Sequence, residues 1–177
     1  MEGREVRFIP LAVKTAVCHT ITYFVMGVIA MNLFHYADFF NAPNSGWRHT
    51  NDPIVILGVV FQPLRGLLFA SVFYPLRSAL FGRKHDWLIL VWLLIGIGIL
   101  GTFAAPAGSL EGFIYTTTSL SVHLRGYVEI VTQAVLLSVL LCFWLKHPEK
   151  KWLNWALGAP FIIVLILPIL GMLAAKH

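Results

Sequence analysis

Charge is what this chain has least of: charged side chains make up 12% of its 177 residues, against 58% hydrophobic ones. Soluble domains carry roughly twice that charged share, so water is excluded as the medium for most of the surface. Cysteine is nearly missing. Cys18 and Cys142 are the only two, and both sit inside apolar runs, which argues against a disulfide framework and for packing roles. A cleavable secretory leader is not expected, because the first apolar run is too long and continues into NLFHYADFF instead of a small-residue cleavage site. Low-complexity tracts, repeat architecture and composition breaks are missing too, so residues 1–177 read as a single transmembrane domain. The letters GIGILG match G-x-G-x-x-G, but they lie within an apolar run, not after a strand, and predict close helix packing instead of a dinucleotide cradle.

What is present is apolar length. A hydrocarbon core of about 30 Å takes roughly 20 helical residues to cross, and five runs meet that: residues 8–34, 54–82, 87–105, 125–146 and 153–175. They predict an all-α polytopic bundle of five transmembrane helices, with longer polar connections at 35–53 and 106–124 and short basic ones between. The first polar connection ends at Pro53, a suitable helix start; the second holds Ser109, a candidate cap for a short helix. The third and fifth runs carry almost no polar side chains and are expected to face lipid or another subunit.

The net charge of +5 is distributed one-sidedly. On the five-helix reading Arg4, Arg7, Lys14, Arg77, Arg83, Lys84, Lys146, Lys150 and Lys151 fall on one side, and Arg48, Arg125 and Lys176 on the other. That bias predicts a cytoplasmic N-terminus and an external C-terminus in a bacterial inner membrane. Trp87, Trp144, Trp152 and Trp155 fall near the same inner boundary, as an interfacial aromatic belt does. The positive charge therefore reports topology, and nucleic acid is not an expected partner; the bilayer is.

One phrase occurs twice, F-x-P-L-R-x-x-L-F, with Arg65 and Arg77 twelve residues apart. That spacing is a rise of about 18 Å along a helix, so the two arginines cannot do the same work. Arg77 reaches the headgroups as a topology anchor. Arg65 falls near the midplane, where an arginine costs about 2.5 to 3.5 kcal/mol on the mildest scale. Gln62 is on the same face, and Pro63 removes a backbone hydrogen bond, so the run is expected to be polar and bent at its centre.

The fourth run offers a counterpart. Arg125, Glu129, Thr132 and Gln133 form one stripe at helical spacing, and Glu129 is the one carboxylate placed within hydrocarbon. Either Arg65 or Arg125 is a candidate partner for it. Gln62, Arg65, Glu129, Gln133 and Arg125 are then the candidate substrate or ion site of a transporter or channel, in the outer half of the bundle. The same residues also serve the alternative of interhelical glue.

A second candidate set is external. H-x-x-D occurs twice, as His35 with Asp38 and His49 with Asp52, and Glu111 and His123 lie on the other connection. Together they carry the donor types for a divalent metal such as zinc, and so for a metal-dependent membrane enzyme. His19, embedded in the first run, is a candidate for a bond to a neighbouring helix or for a haem ligand. A non-catalytic accessory subunit of a larger membrane complex, or a homo-oligomer, is the remaining reading. No motif here identifies a characterised family or a substrate.

Overall fold

The computed structural model describes residues 6–43, 45–101 and 108–174. Among them the secondary structure is entirely helical. The first run forms α1, Phe8–Leu33. A turn at His35, whose backbone is left-handed at φ 51°, reverses the chain into the short α2, Tyr36–Phe40. Histidine is one of the residues that tolerates this region.

The second run is not one continuous helix. Asp52 caps α3, Pro53–Ile56, by accepting a hydrogen bond from the Ile54 N–H, with Pro53 in the first turn. A tighter 3-10 stretch follows at Leu57–Phe61, and α4 occupies Gln62–Phe73. Pro63, at the start of α4, supplies no N–H for the ladder, which accounts for the change of winding there. Pro75 does the same beyond Phe73: the helix stops, turns, and resumes only as α5, Arg77–Leu80. The expected helix over 54–82 is corrected accordingly, to a crossing of 21 residues, Pro53–Phe73.

The count of five is corrected as well. Four helices are long and apolar enough to cross a membrane: α1, the combined Pro53–Phe73 segment, α8 at Leu120–Lys146 and α9 at Trp152–Ala174. The third run, expected over 87–105, yields the shorter Asp86–Leu100, made of α6, Asp86–Ile95, and a wider π-turn at Gly96–Leu100. Fifteen residues rise about 22 Å, short of the hydrocarbon thickness. Residues 102–105 of that run lie outside the described residues, as do Arg4 and Lys176.

Between the long helices, α7, Leu110–Tyr115, is capped by Ser109, whose hydroxyl accepts from the Gly112 N–H. Helix α8 begins at Leu120, five residues before the expected start, because its first turn is polar. Pro160 and Pro168 sit inside α9 without ending it.

Helix α1 is the hub and packs on α4, α8 and α9; α6 packs on α8. The contact of α1 with α4 is the closest: a methyl placed on Gly66 would lie 2.5 Å from the Ala16 Cα. Only glycine allows the two backbones to approach this far. Phe73, Leu11, Leu90 and Leu141 are fully buried in the core that results.

One end of the bundle is tied by polar contacts. Lys14 donates to the Trp144 carbonyl at 2.7 Å, and the Trp144 indole donates to Asn154 at 3.1 Å. Lys146 pairs with the buried Asp86 at 2.7 Å and also donates to the Arg83 carbonyl. This basic end fixes the chain direction: α1 starts there, α8 ends there and α9 starts there. Gly108, by contrast, sits beside Ile130 and Gly126. Asp86 thus lies at the level of Lys146 and Gly108 at that of Ile130, levels about 24 Å apart along α8. The opposite end, carrying α2, α3 and α7, is the loop end.

Candidate functional site

The change of winding at Pro63 determines what Gln62 does. In the 3-10 stretch the Gln62 N–H reaches the Val59 carbonyl, one residue nearer than the Gly58 carbonyl that an α-turn would use. The Gln62 side-chain amide takes it at 3.0 Å, and its oxygen then meets His19 Nε2 at 3.1 Å. Both side chains are buried. Gln62 is therefore turned toward α1. It links two helices and does not face α8, contrary to the shared cluster expected from sequence. His19 also meets Phe69 edge to face, with ring centroids 4.9 Å apart, and makes the neighbouring-helix contact that was one of its two expected roles.

Arg65, one turn further on, points elsewhere. It contributes to the wall of a cavity of about 910 Å³ in the loop-end half, which Glu129, Gln133, Tyr23, Tyr36, Arg48 and His123 also line. The stripe on α8 thus brings Glu129 and Gln133 to the same space as Arg65, from the facing helix. That volume is in the range of small-molecule sites, about 300 to 1,000 Å³. The walls are mainly apolar, supplied by α1, α2, α3, α4 and α8.

Within this cavity Glu129 has a neighbour, Tyr36, that the sequence did not reveal. The expected ion pair with Arg65 or Arg125 is not formed: among the described residues the ion pairs are Arg48 with Asp52 and Lys146 with Asp86. Arg125 donates to the Phe34 carbonyl at 3.1 Å, tying the top of α8 to the end of α1. Glu129 instead shares the cavity wall with Tyr36, and burial, followed by the nearby Glu129 carboxylate, pushes the Tyr36 phenol above its ordinary pKa. The phenol thus stays protonated and able to donate. The left-handed turn at His35 is what carries Tyr36 over the cavity. Tyr aromatics next to a helix end give no spacing signal of this kind, which is why Tyr36 escapes a sequence reading.

Arg65 itself makes no hydrogen bond or ion pair with the described residues. Its guanidinium lies 5.6 Å from the Phe69 ring centroid. A guanidinium presents five donors, and Arg65 is an exposed residue on the cavity wall. His123 is a second unsatisfied group. It is 1% exposed, packs against Phe113 and Tyr127, and has neither ring nitrogen hydrogen-bonded among the described residues.

The external His and Asp groups are placed apart. Asp52 is engaged by the Ile54 N–H and by Arg48 at 3.1 Å, and these hold its carboxyl below the usual range. His35, Asp38 and His49 are exposed, as is Glu111 on α7, while His123 is buried. No group of three or more His, Cys, Asp or Glu side chains that could hold a metal gathers among the described residues. His19, the candidate haem ligand, has its Nε2 occupied by Gln62. Comparison with known proteins found no matching family model, no matching curated protein and no matching solved structure.

Proposed function

We propose that this is a multi-pass membrane protein that binds a small anionic solute in the loop-end cavity, as the binding step of permeation, with Arg65 as the anchor. The observation that carries this reading is the unpaired guanidinium. A charge near the middle of a membrane helix is costly, and a group that only glued helices together would be expected to spend its hydrogen bonds on them. Arg65 lines a cavity instead, with Glu129 and Tyr36 on the same wall and no ion pair between Arg65 and Glu129 among the described residues.

The parts divide as follows. Arg65 offers a planar fork that matches a carboxylate or phosphate. Gln133 supplies a neutral amide beside it. Glu129 of α8 and Tyr36 of α2 line the same cavity, so that solute access and the position of α2 are coupled. The basic end is oriented to the cytoplasm by its lysines and arginines, which puts the loop end and the cavity outside, with the start of α1 inside and the end of α9 outside. The placement of Asp86 at the basic end and of Gly108 at the loop end, between α4 and α8 in sequence, supports that orientation.

The test is ligand-dependent thermal stabilisation of the purified protein, using short monocarboxylates, inorganic phosphate and primary amines as probes. A ligand that binds only the folded state raises its stability. The anions are expected to raise Tm and the amines not to, with the shift lost in Arg65→Gln. Equal shifts in the wild type and in Arg65→Gln would remove the reading.

A further inference from the structure

The solute-binding reading leaves the class of solute open, and the seam between α1 and α8 narrows it. Glu129, Gln133, Leu136, Leu140 and Phe143 recur along α8 at steps of four, three, four and three, which places them on one helix face. The first two line the polar cavity, and the last three line a separate groove of about 330 Å³ that α8 forms with Ile21, Thr22 and Val25 of α1. On α1 the same succession holds: Val25 lines the groove, and Val28, three residues on, lines the cavity. The two spaces therefore follow one another along a single seam.

The groove is apolar throughout. Its one hydroxyl, on Thr22, is spent on the Cys18 carbonyl at 2.9 Å, so the residue presents its methyl group to the groove. From Glu129 to Phe143 the seam covers fourteen residues, about 21 Å of rise, which is of the length of an extended long acyl chain. Only α1 and α8 line the groove, so it has room beside one seam for a chain lying along it. In the cavity at its loop end, which Glu129 also lines, Arg65 is the guanidinium with neither ion pair nor hydrogen bond among the described residues and can meet a single negative charge, since Arg48 is matched by Asp52 and Arg125 is bonded to the Phe34 carbonyl.

We infer that the solute is a monoacyl amphiphile with a singly charged anionic head, a long-chain carboxylate, bound with its head at Arg65 and its chain in the α1–α8 groove. This rests on the solute-binding reading above and adds the tail to it. Binding energy then divides between charge-assisted hydrogen bonds at the head and packing of the chain against Leu136, Val139 and Phe143. Head and chain are needed together, which distinguishes the site from ordinary contact with bilayer lipid.

The probe is a long-chain carboxylic acid carrying a diazirine at mid-chain, photolysed with the full-length protein in phosphatidylcholine nanodiscs and mapped by mass spectrometry. Labels are expected on residues 136–143 and 21–25. The yield there is expected to fall at least fivefold in Arg65→Gln, in Val139→Trp, and when the probe is the corresponding alcohol. Val139 is 44% exposed, so tryptophan there fills the groove without entering the core; Arg65→Lys, which keeps the charge, is expected to retain part of the yield. Butyrate stabilisation provides the second arm. If butyrate stabilises through Arg65 but the long-chain label spreads evenly over α9 and the other helices and ignores Arg65→Gln, the amphiphile is overturned and the anion cavity stands. If butyrate gives no shift either, both readings fall.

Discussion

The two halves of the bundle treat charge in opposite ways. At the basic end Asp86, 1% exposed, is paired with Lys146, and Lys14 is spent on the last turn of α8. Trp144 and Asn154 complete a network in which each polar group binds another element. At the loop end Arg65 has no hydrogen-bonding partner among the described residues, His123 is buried with both nitrogens unbonded, and a cavity of about 910 Å³ stays open between the helices. The contrast concerns these charged and ring groups: Asp86, Lys146 and Lys14 are matched across elements, while Arg65 and His123 line space without a hydrogen bond among the described residues; the buried hydroxyls of Thr15 and Ser138, away from the cavity, are also unbonded.

Substitutions can break that contrast if it is wrong. The largest effect is expected at the matched end. Lys146→Met leaves Asp86 buried without its partner, and breaking a buried pair costs about 3 to 5 kcal/mol; because Lys146 is itself 35% exposed, a loss nearer 2 kcal/mol is expected, read as a lower unfolding midpoint in detergent. Asp86→Asn, which keeps the shape and drops the charge, should cost less.

Next in size is the α1–α4 crossing. Gly66→Ala places a methyl 2.5 Å from the Ala16 backbone, so the helices must separate, at about 1 to 3 kcal/mol for overpacking. Its cavity consequence sharpens the comparison, because α4 carries Arg65: anion-dependent stabilisation should weaken in parallel. Loss of stability with unchanged anion response would uncouple the two.

Arg65→Leu is expected to do the reverse of Lys146→Met. It removes an unmatched charge, so stability in the absence of ligand should stay within about 1 kcal/mol or rise, while the response to anions disappears. A collapse of the fold on this substitution would show that Arg65 is matched after all.

The smallest effect concerns Asp52 at the mouth of the loop end. Its carboxyl is held below the ordinary value by the Ile54 N–H and Arg48. A depressed carboxylate contributes stability above its unfolded pKa, about 3.9, and loses it as pH falls through the folded value. The first turn of α3 should therefore fray below about pH 4, seen as faster amide exchange at Ile54 to Ile56, and Asp52→Ala should show the same fraying at neutral pH.

Much of this architecture was legible in the sequence because it depends on local chemistry. Pro53 and Ser109 start helices where cap chemistry predicts, and the bounds of α9 fall within one residue of its apolar run. The stripe Glu129 to Gln133 follows from helical periodicity alone. What misled was apolar length: the run over 54–82 is continuous in hydropathy, yet Pro75 ends the helix, and the glycines of 96–101 accompany a π-turn that length alone does not reveal. Partners at a distance were not legible. Nothing local says that Gln62 turns to His19, that Arg125 reaches the Phe34 carbonyl, or that Tyr36 and Glu129 line one cavity. Each depends on how α1 crosses its neighbours, and that is set by side chains far apart in sequence.

The central claim is that hydrated volume lies against α8 in its loop-end half and not in its core-facing stripe. Thiol labelling in intact membranes tests it most directly, comparing Gln133→Cys with Leu137→Cys, one turn along the same helix but 2% exposed; the native Cys18 and Cys142 are buried and serve as the background. A charged, membrane-impermeant reagent added from the loop-end side is expected to modify the position-133 variant at least tenfold faster than the position-137 variant, with long-chain carboxylate slowing it. Equal, slow modification of both would contradict the account, because it would mean that Arg65 faces lipid or protein and not an open cavity.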